Sequence, residues 1–236
     1  NTVIHKAETR GNANHGWLNS NHTFSFANYH NPERMNFGVL RVLNDDRVQA
    51  GMGFGTHPHD NMEIISIPLE GDLEHKDSIG NVAVIKEGDV QVLSAGTGIT
   101  HSEYNKNKDK EVKFLQIWVF PKEKNVSPRY DQISIRDIEK ENKFYQVLSP
   151  SKEDQGVWIN QDAWFNLGKF SKGSRDQYKI QKPGNGVYVF VLEGDVEING
   201  EQLSLRDGMG IWDAESINLM ANSDARVLLM DVPMNL

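Results

Sequence analysis

The sequence predicts an all-β protein made of two β-barrel domains from one duplicated unit, with few short helices. Three observations carry this. The apolar stretches are short, rich in Val and Ile, and bounded by Gly, Asn and Asp, the pattern of strands in a sandwich or barrel. Helical periodicity is weak. One phrase occurs twice, "LEGDLE" from Leu69 and "LEGDVE" from Leu192, an offset of 192 − 69 = 123 residues.

In chain order, the expected strands are "GVLRVL", "EIISIPLEG", "VAVIKEGDVQVL", "VKFLQIWVF", "VYVFVLEGDVEING" and "RVLLMDV". "LNDDRV", "SIGNV" and "INGEQ" read as hairpin turns, because Asn, Asp and Gly accept the backbone angles that such turns need. "SIRDIEKENKF" reads as one short helix. Each copy of the repeated phrase follows an apolar strand, and each leads to a second Gly-bearing segment, "KEGDVQVLSAG" and "LRDGMGIWDAE". A duplicated barrel explains both. The expected division is 1–130 for the first domain and 131–236 for the second, inside the polar, proline-bearing "PKEKNVSPRYDQ".

Composition limits the chemistry. The 236 residues suit one large domain or two modest ones. There is no cysteine, so a metal must be held by His, Asp or Glu. A net charge of −8 and the lack of a dense Lys/Arg cluster argue against nucleic acid and anionic membrane as partners. No apolar run suggests a membrane span or secretion signal, and a cytoplasmic location is expected. A nucleophile-elbow "GxSxG", a P-loop and a dinucleotide fingerprint are absent.

The chemistry concentrates in two short segments. His57 and His59 flank Pro58, which favours extended backbone before it. Alternating side chains then put both imidazoles on one face. His101 and Glu103 repeat that spacing, just after the flexible turn of Gly96 and Gly98. Two strands, each aiming two ligands inward, build a site of three imidazoles and one carboxylate. In a six-coordinate ion this set leaves two open positions and suits iron, copper, nickel, cobalt or manganese, whereas four ligands would close tetrahedral zinc. Parity also leaves Glu63 open, since it lies an even number of residues from both histidines. His22, Phe24 and Phe26 are expected on one face of a half-buried strand, near His15 and His30, and His75 is expected to be structural. In the second copy the 123-residue offset carries His57 and His59 to Ile180 and Lys182. The 120-residue offset between Gly88 and Gly208 carries His101 and Glu103 to Ala221 and Ser223. The second domain should therefore hold no metal, and no histidine follows His101.

These segments resemble the cupin superfamily: Gly51 to Gly71 looks like its first motif and Gly88 to His101 like its second. More closely, "HGWLNSNHTFSFANY", "GTHPHDNMEIISIPLEG", "EHKDSIGN" and "SAGTGITHSEYN" resemble the pirin family, especially its bacterial quercetin 2,3-dioxygenase-like branch. The resemblance implies a bicupin with jelly-roll-like barrels and the metal in the first. It implies His57, His59, His101 and Glu103 as ligands, with Glu103 in the ligand role that Glu63 would hold in many other cupins. One divalent transition metal ion is implied, iron first, with copper, manganese, nickel, cobalt or zinc as alternatives. The implied activity is dioxygen-dependent cleavage of the heterocyclic ring of a flavonol, releasing carbon monoxide, with Glu103 also taking the substrate's hydroxyl proton. Two rival readings are a metal- and redox-dependent regulator that binds a protein partner, and another cupin reaction, such as isomerisation, on a different small molecule.

Overall fold

A computed structural model describes residues 1–236, which form four sheets. The first large sheet runs in the order β12 (Arg129–Ser134), β9 (Asp89–Ser94), β6 (Glu63–Glu70), β11 (Val112–Val119), β4 (Leu40–Val48), β3 (Leu18–His22) and β2 (Gly11–Asn14). Its small partner sheet runs β5 (Gly53–His59), β10 (Ile99–Asn105), β7 (Leu73–Asp77) and β8 (Val82–Ile85). The second large sheet runs β1 (Thr2–His5), β20 (Gly208–Ile211), β17 (Asn185–Glu193), β22 (Ala225–Pro233), β15 (Trp164–Phe170), β13 (Phe144–Ser149) and β14 (Val157–Trp158). Its small partner runs β16 (Arg175–Lys179), β21 (Ser216–Ala221), β18 (Val196–Ile198) and β19 (Glu201–Leu203).

The repeated phrase has a structural meaning. Gly71 and Gly194 sit at φ +80° and +77°, where each chain leaves a large sheet for a small one. A Cβ at either would meet backbone carbonyl oxygen, so left-handed geometry and close approach both require glycine there. Even a ladder irregularity is copied: the register shifts between Lys113 and Phe114 opposite Glu70 and Pro68, and between Val191 and Glu193 opposite Val227 and Arg226.

Both faces of the large sheets are buried. Ile65, Ile67, Leu115 and Ile117 of the first half pack with Phe165, Phe190, Leu228 and Met230 of the second in one cluster of 27 buried residues. The opposite faces turn into the two barrels. Strand pairing crosses the division expected at 130/131: β1, at the start of the chain, pairs with β20 of the second sheet, and β12 pairs with β9 of the first.

Two local expectations are corrected. "LNDDRV" is not a turn but lies in β4, paired on both sides by β3 and β11. Its polar groups find partners inside: Ser20 donates to Asp46, and Arg10 pairs with Asp45 at 3.0 Å. Tertiary pairing thus overrides the turn preference of Asn and Asp. Between β12 and β13 the chain makes a single turn at 136–138, with Ile138 and Glu139 N–H groups both donating to the Ile135 carbonyl, and then a bridge from Glu141 to Lys169. The only helical segment is a 3-10 turn at Ala7–Thr9, so the one short helix expected at "SIRDIEKENKF" does not form. No helix is long and apolar enough to cross a membrane.

Candidate metal centre

β5 and β10 are antiparallel neighbours, with His57 opposite His101 and His59 opposite Ile99. The ladder then shifts between His101 and Glu103. Along β10, Thr100 and Tyr104 face outward while Ile99, His101 and Glu103 are buried. The two sequence segments are therefore brought together in the first barrel, as the i, i+2 spacings require.

One ligand atom from each of His57, His59 and His101 lies within 4.8 Å of the others. The Nε2 atoms of His59 and His101 are 3.0 Å apart, about the separation of two nitrogens each ~2.1 Å from one ion at a right angle. His57 Nδ1 lies 2.7 Å from the Gly55 carbonyl oxygen. A carbonyl only accepts, so Nδ1 carries the proton and Nε2 keeps its lone pair. Burial, then the neighbouring His57, lowers His59 to about 4. Burial, then His57 and His59, lowers His101 to about 2. Neutral imidazoles are the form that binds metal.

Glu103 is 1 % exposed, and its Oε1, with no hydrogen-bond partner, lies 3.7 Å from His101 Nε2. Oε2 is reached by the Ser66 hydroxyl at 3.4 Å, and Gln116 donates to that hydroxyl at 3.0 Å. Burial, then Asp46, raises the Glu103 carboxyl to about 7. A buried carboxylate oxygen without a donor is costly unless something positive meets it, so this donor set fits a cation held by three imidazoles and one carboxylate.

Glu63 takes no part in this arrangement. On β6 it shares a face with Ile65 and Ile67, which pack between the halves, whereas Ser66 faces Glu103. Its carboxylate accepts the Asn160 backbone N–H, and its proton affinity is raised chiefly by burial. Parity between His59 and Glu63 fails because the chain turns at Asn61, φ +44°.

His75 is fully buried, 2.7 Å from Asp77 Oδ2 and stacked on Tyr130. Its Nδ1 has no partner, and its ring lies 5.5 Å from that of His101. The expected common face of His22, Phe24 and Phe26 is not kept. Phe24 packs on Tyr188 of the second half, while His22 meets Phe26 and lines a cavity with His57 and His59. The bend at 23–24, just past β3, separates them. His15 lines the same cavity, and His30 is exposed and does not. Asp46, Gln116 and Trp118 also line it. Sequence reading passed over these residues, because "NDD" imitates a turn and a strand tryptophan reads as core.

Register also corrects the positions in the second copy. With Leu73 matched to Val196, as the repeat demands, the pairings place Ile217 and Leu219 where His101 and Glu103 stand. Tyr178, opposite Ile217, then stands for His57, and Ile180 for His59. The ungapped offsets slip by two and four residues because the loops differ in length.

Comparison with known proteins agrees with this architecture. A model of the pirin family matches residues 3–119, and one of the quercetinase C-terminal cupin domain matches residues 146–232. A protein of Escherichia coli O157:H7 named quercetin 2,3-dioxygenase is 44% identical over 230 residues, 98% of each chain. This chain belongs to the pirin family. A pirin-like protein of Caulobacter vibrioides is 39% identical over 222 residues, 94% of this chain and 95% of its own. Among solved structures, the E. coli pirin YhhW in complex with nickel(II) superposes with a TM-score of 0.93 at 44% identity, covering 98% of this chain and 99% of its own. The fold is accordingly that of a pirin, two cupin barrels in one chain.

Proposed function

We propose that this pirin is a mononuclear metal dioxygenase that opens the heterocyclic ring of flavonols such as quercetin, with release of carbon monoxide. The observation that carries the reading is the convergence of three imidazoles, one of them 3.7 Å from a buried, unpartnered carboxylate oxygen. His57, His59, His101 and Glu103 are the ligands in this proposal, and they hold one divalent transition metal ion, iron first. Support for the substrate comes from relatives that bear the name quercetin 2,3-dioxygenase. Support for a divalent ion comes from the nickel complex of YhhW.

The bound ion supplies Lewis acidity toward the substrate's hydroxyl and a path for electrons to dioxygen. The residues do the rest. Gly55 fixes the His57 tautomer and Ser66 fixes one oxygen of Glu103. Glu103, beside the ion, takes the proton of the 3-hydroxyl, either as a ligand or after partial release, while Ser66 holds its other oxygen. Trp118, whose ring lies 5.1 Å edge-on from His59, walls the approach and limits water there. A cleft of about 820 Å³ lined by His59, Trp118, Met62 and Ile99 leads in from the surface.

The test is oxygen uptake and carbon monoxide release with quercetin, on chain reconstituted with each of iron, nickel, manganese, copper, cobalt and zinc. Metal-dependent uptake with carbon monoxide in equal amount is expected. Tight binding of one ion without oxygen uptake for any of these metals would remove the flavonol reaction and leave the metal site.

A further inference from the structure

Behind His57 and His59 the barrel encloses a second space of about 250 Å³. It lies below the ~300–1,000 Å³ of pockets that hold a whole drug-sized ligand, so it takes one ring, while the remainder of a larger molecule lies in the outer cleft. Both spaces share His59 and Trp118. Phe26, Phe54 and Trp118 supply flat apolar walls to the inner one.

Its polar residues share one property. Ser20 donates to Asp46 Oδ1, and Ser20 Oγ lies 2.9 Å from His22 Nε2. With the Ser20 proton committed to Asp46, His22 Nε2 must be the donor, which leaves Nδ1 as an acceptor. That Nδ1 has no partner, nor has Asn44 Oδ1. Asp46 Oδ2 has no hydrogen-bond donor among the neighbouring side chains. Asp46, His22 and Asn44 are 4 %, 2 % and 2 % exposed. His22 Nδ1 and Asn44 Oδ1 are sealed within the wall, and unmet acceptors of this kind are rare in folded proteins; Asp46 Oδ2 is the acceptor left open to the aromatic-walled cavity. Neither His101 nor Glu103 lines the cavity.

We propose that this inner cavity is a subsite for a hydroxylated aromatic ring, and that Asp46, held by Ser20, accepts a ring hydroxyl remote from the metal-binding end. An acceptor without a donor selects a ligand that brings an O–H group, and a methylated or unsubstituted ring would leave Asp46 Oδ2 unmet. Asp46 is thus the specificity-determining residue for ring hydroxylation. The inference rests on the dioxygenase reading for the reaction but not for the binding step.

The probe is resorcinol, whose two hydroxyls are too far apart to chelate an ion, compared with 1,3-difluorobenzene, a ring of similar size without O–H donors. Burial raises Asp46 to about 7, so calorimetric titration of each into the nickel-loaded full chain is done above pH ~8, where Asp46 is ionised, and should show resorcinol at least about 10-fold tighter, as a hydrogen bond to a charged group predicts. Asp46→Asn should lose most of that preference and Ser20→Ala part of it, with difluorobenzene affinity and nickel content unchanged. Equal binding of the two rings, no resorcinol binding, or full preference retained in Asp46→Asn would overturn the subsite. If Asp46→Asn does not fold, Ser20→Ala decides by the same ratio. Failure of quercetin turnover with the resorcinol preference intact would count only against the flavonol reaction.

Discussion

The two barrels share one strand plan and fill it with opposite chemistry. In the first, the inward positions are His57, His59, His75, His101 and Glu103, joined by Ser66, Gln91 and Gln116 of the large sheet. The strand registers put Tyr178, Ile180, Ile198, Ile217 and Leu219 at the former positions, and Val189, Met209 and Leu229 at the latter. All eight belong to one apolar cluster of 17 buried residues. The first barrel has only two small apolar clusters inside, of six and four buried residues. Asp46 corresponds to Gly168, where an added Cβ would strike the Phe170 and Phe144 rings. The difference teaches that the fold does not need the site. A cupin barrel closes on hydrocarbon alone, and the polar interior of the first barrel is a cost that the second does not carry. What the second half gives the first is a face to pack on and edge strands that cross between them.

The sharpest way to break this contrast is to remove the donors. His57→Ala, His59→Ala and His101→Ala should each weaken nickel or iron binding by more than ~100-fold, beyond the usual cost of losing a supporting residue. Thermal midpoints without metal should stay close to that of the parent, and a variant that keeps full stoichiometry leaves the ligand set. The intact chain should bind one ion, measured by mass spectrometry under native conditions.

Exchanging residues between the barrels comes next. Leu219→Glu buries a carboxyl among hydrocarbon and should destabilise by about 3–5 kcal/mol. The reverse change, Glu103→Leu, should abolish metal binding yet stabilise the metal-free chain, because an unpartnered buried carboxyl is replaced by apolar packing. Chemical denaturation of both variants without metal measures the pair, and a destabilised Glu103→Leu would mean that Oε1 is satisfied without an ion.

Glu63→Ala should leave metal affinity unchanged and lower stability by about 1–3 kcal/mol, since it strips the Asn160 N–H of its acceptor between the halves. Loss of metal with stability unchanged would restore Glu63 as a ligand.

The smallest effect concerns pH. His5 on β1 is the one histidine that packs on the second sheet, 2.8 Å from the Tyr188 hydroxyl, and burial followed by Arg34 lowers it to about 4. The unfolded chain therefore binds a proton near pH 6.5 that the folded chain refuses until about 4. The stability involved is present above pH 6.5 and is lost as pH falls toward 4. Denaturation midpoints at pH 7.5 and 5 should differ less in His5→Gln than in the parent, and an unchanged difference would clear His5 of any part in acid sensitivity.

The sequence by itself determined the duplication, the all-β class and the pairing of candidate donors at His57, His59, His101 and Glu103 on two strands. Glycine at Gly71 and Gly194 answers to positive φ combined with a close backbone oxygen, and two ligands at i and i+2 share a face of a regular strand. Such signals are local, so they survive without knowledge of the fold. Only the tertiary structure puts Glu103, and not Glu63, beside the imidazoles, because parity is lost wherever the chain turns between strands. It also decided that β1 and β12 cross between halves and that "LNDDRV" is a strand with Asp46 facing the cavity. Each of these depends on which strands lie side by side, and pairing between distant segments overrides the preferences that a short stretch of sequence can express.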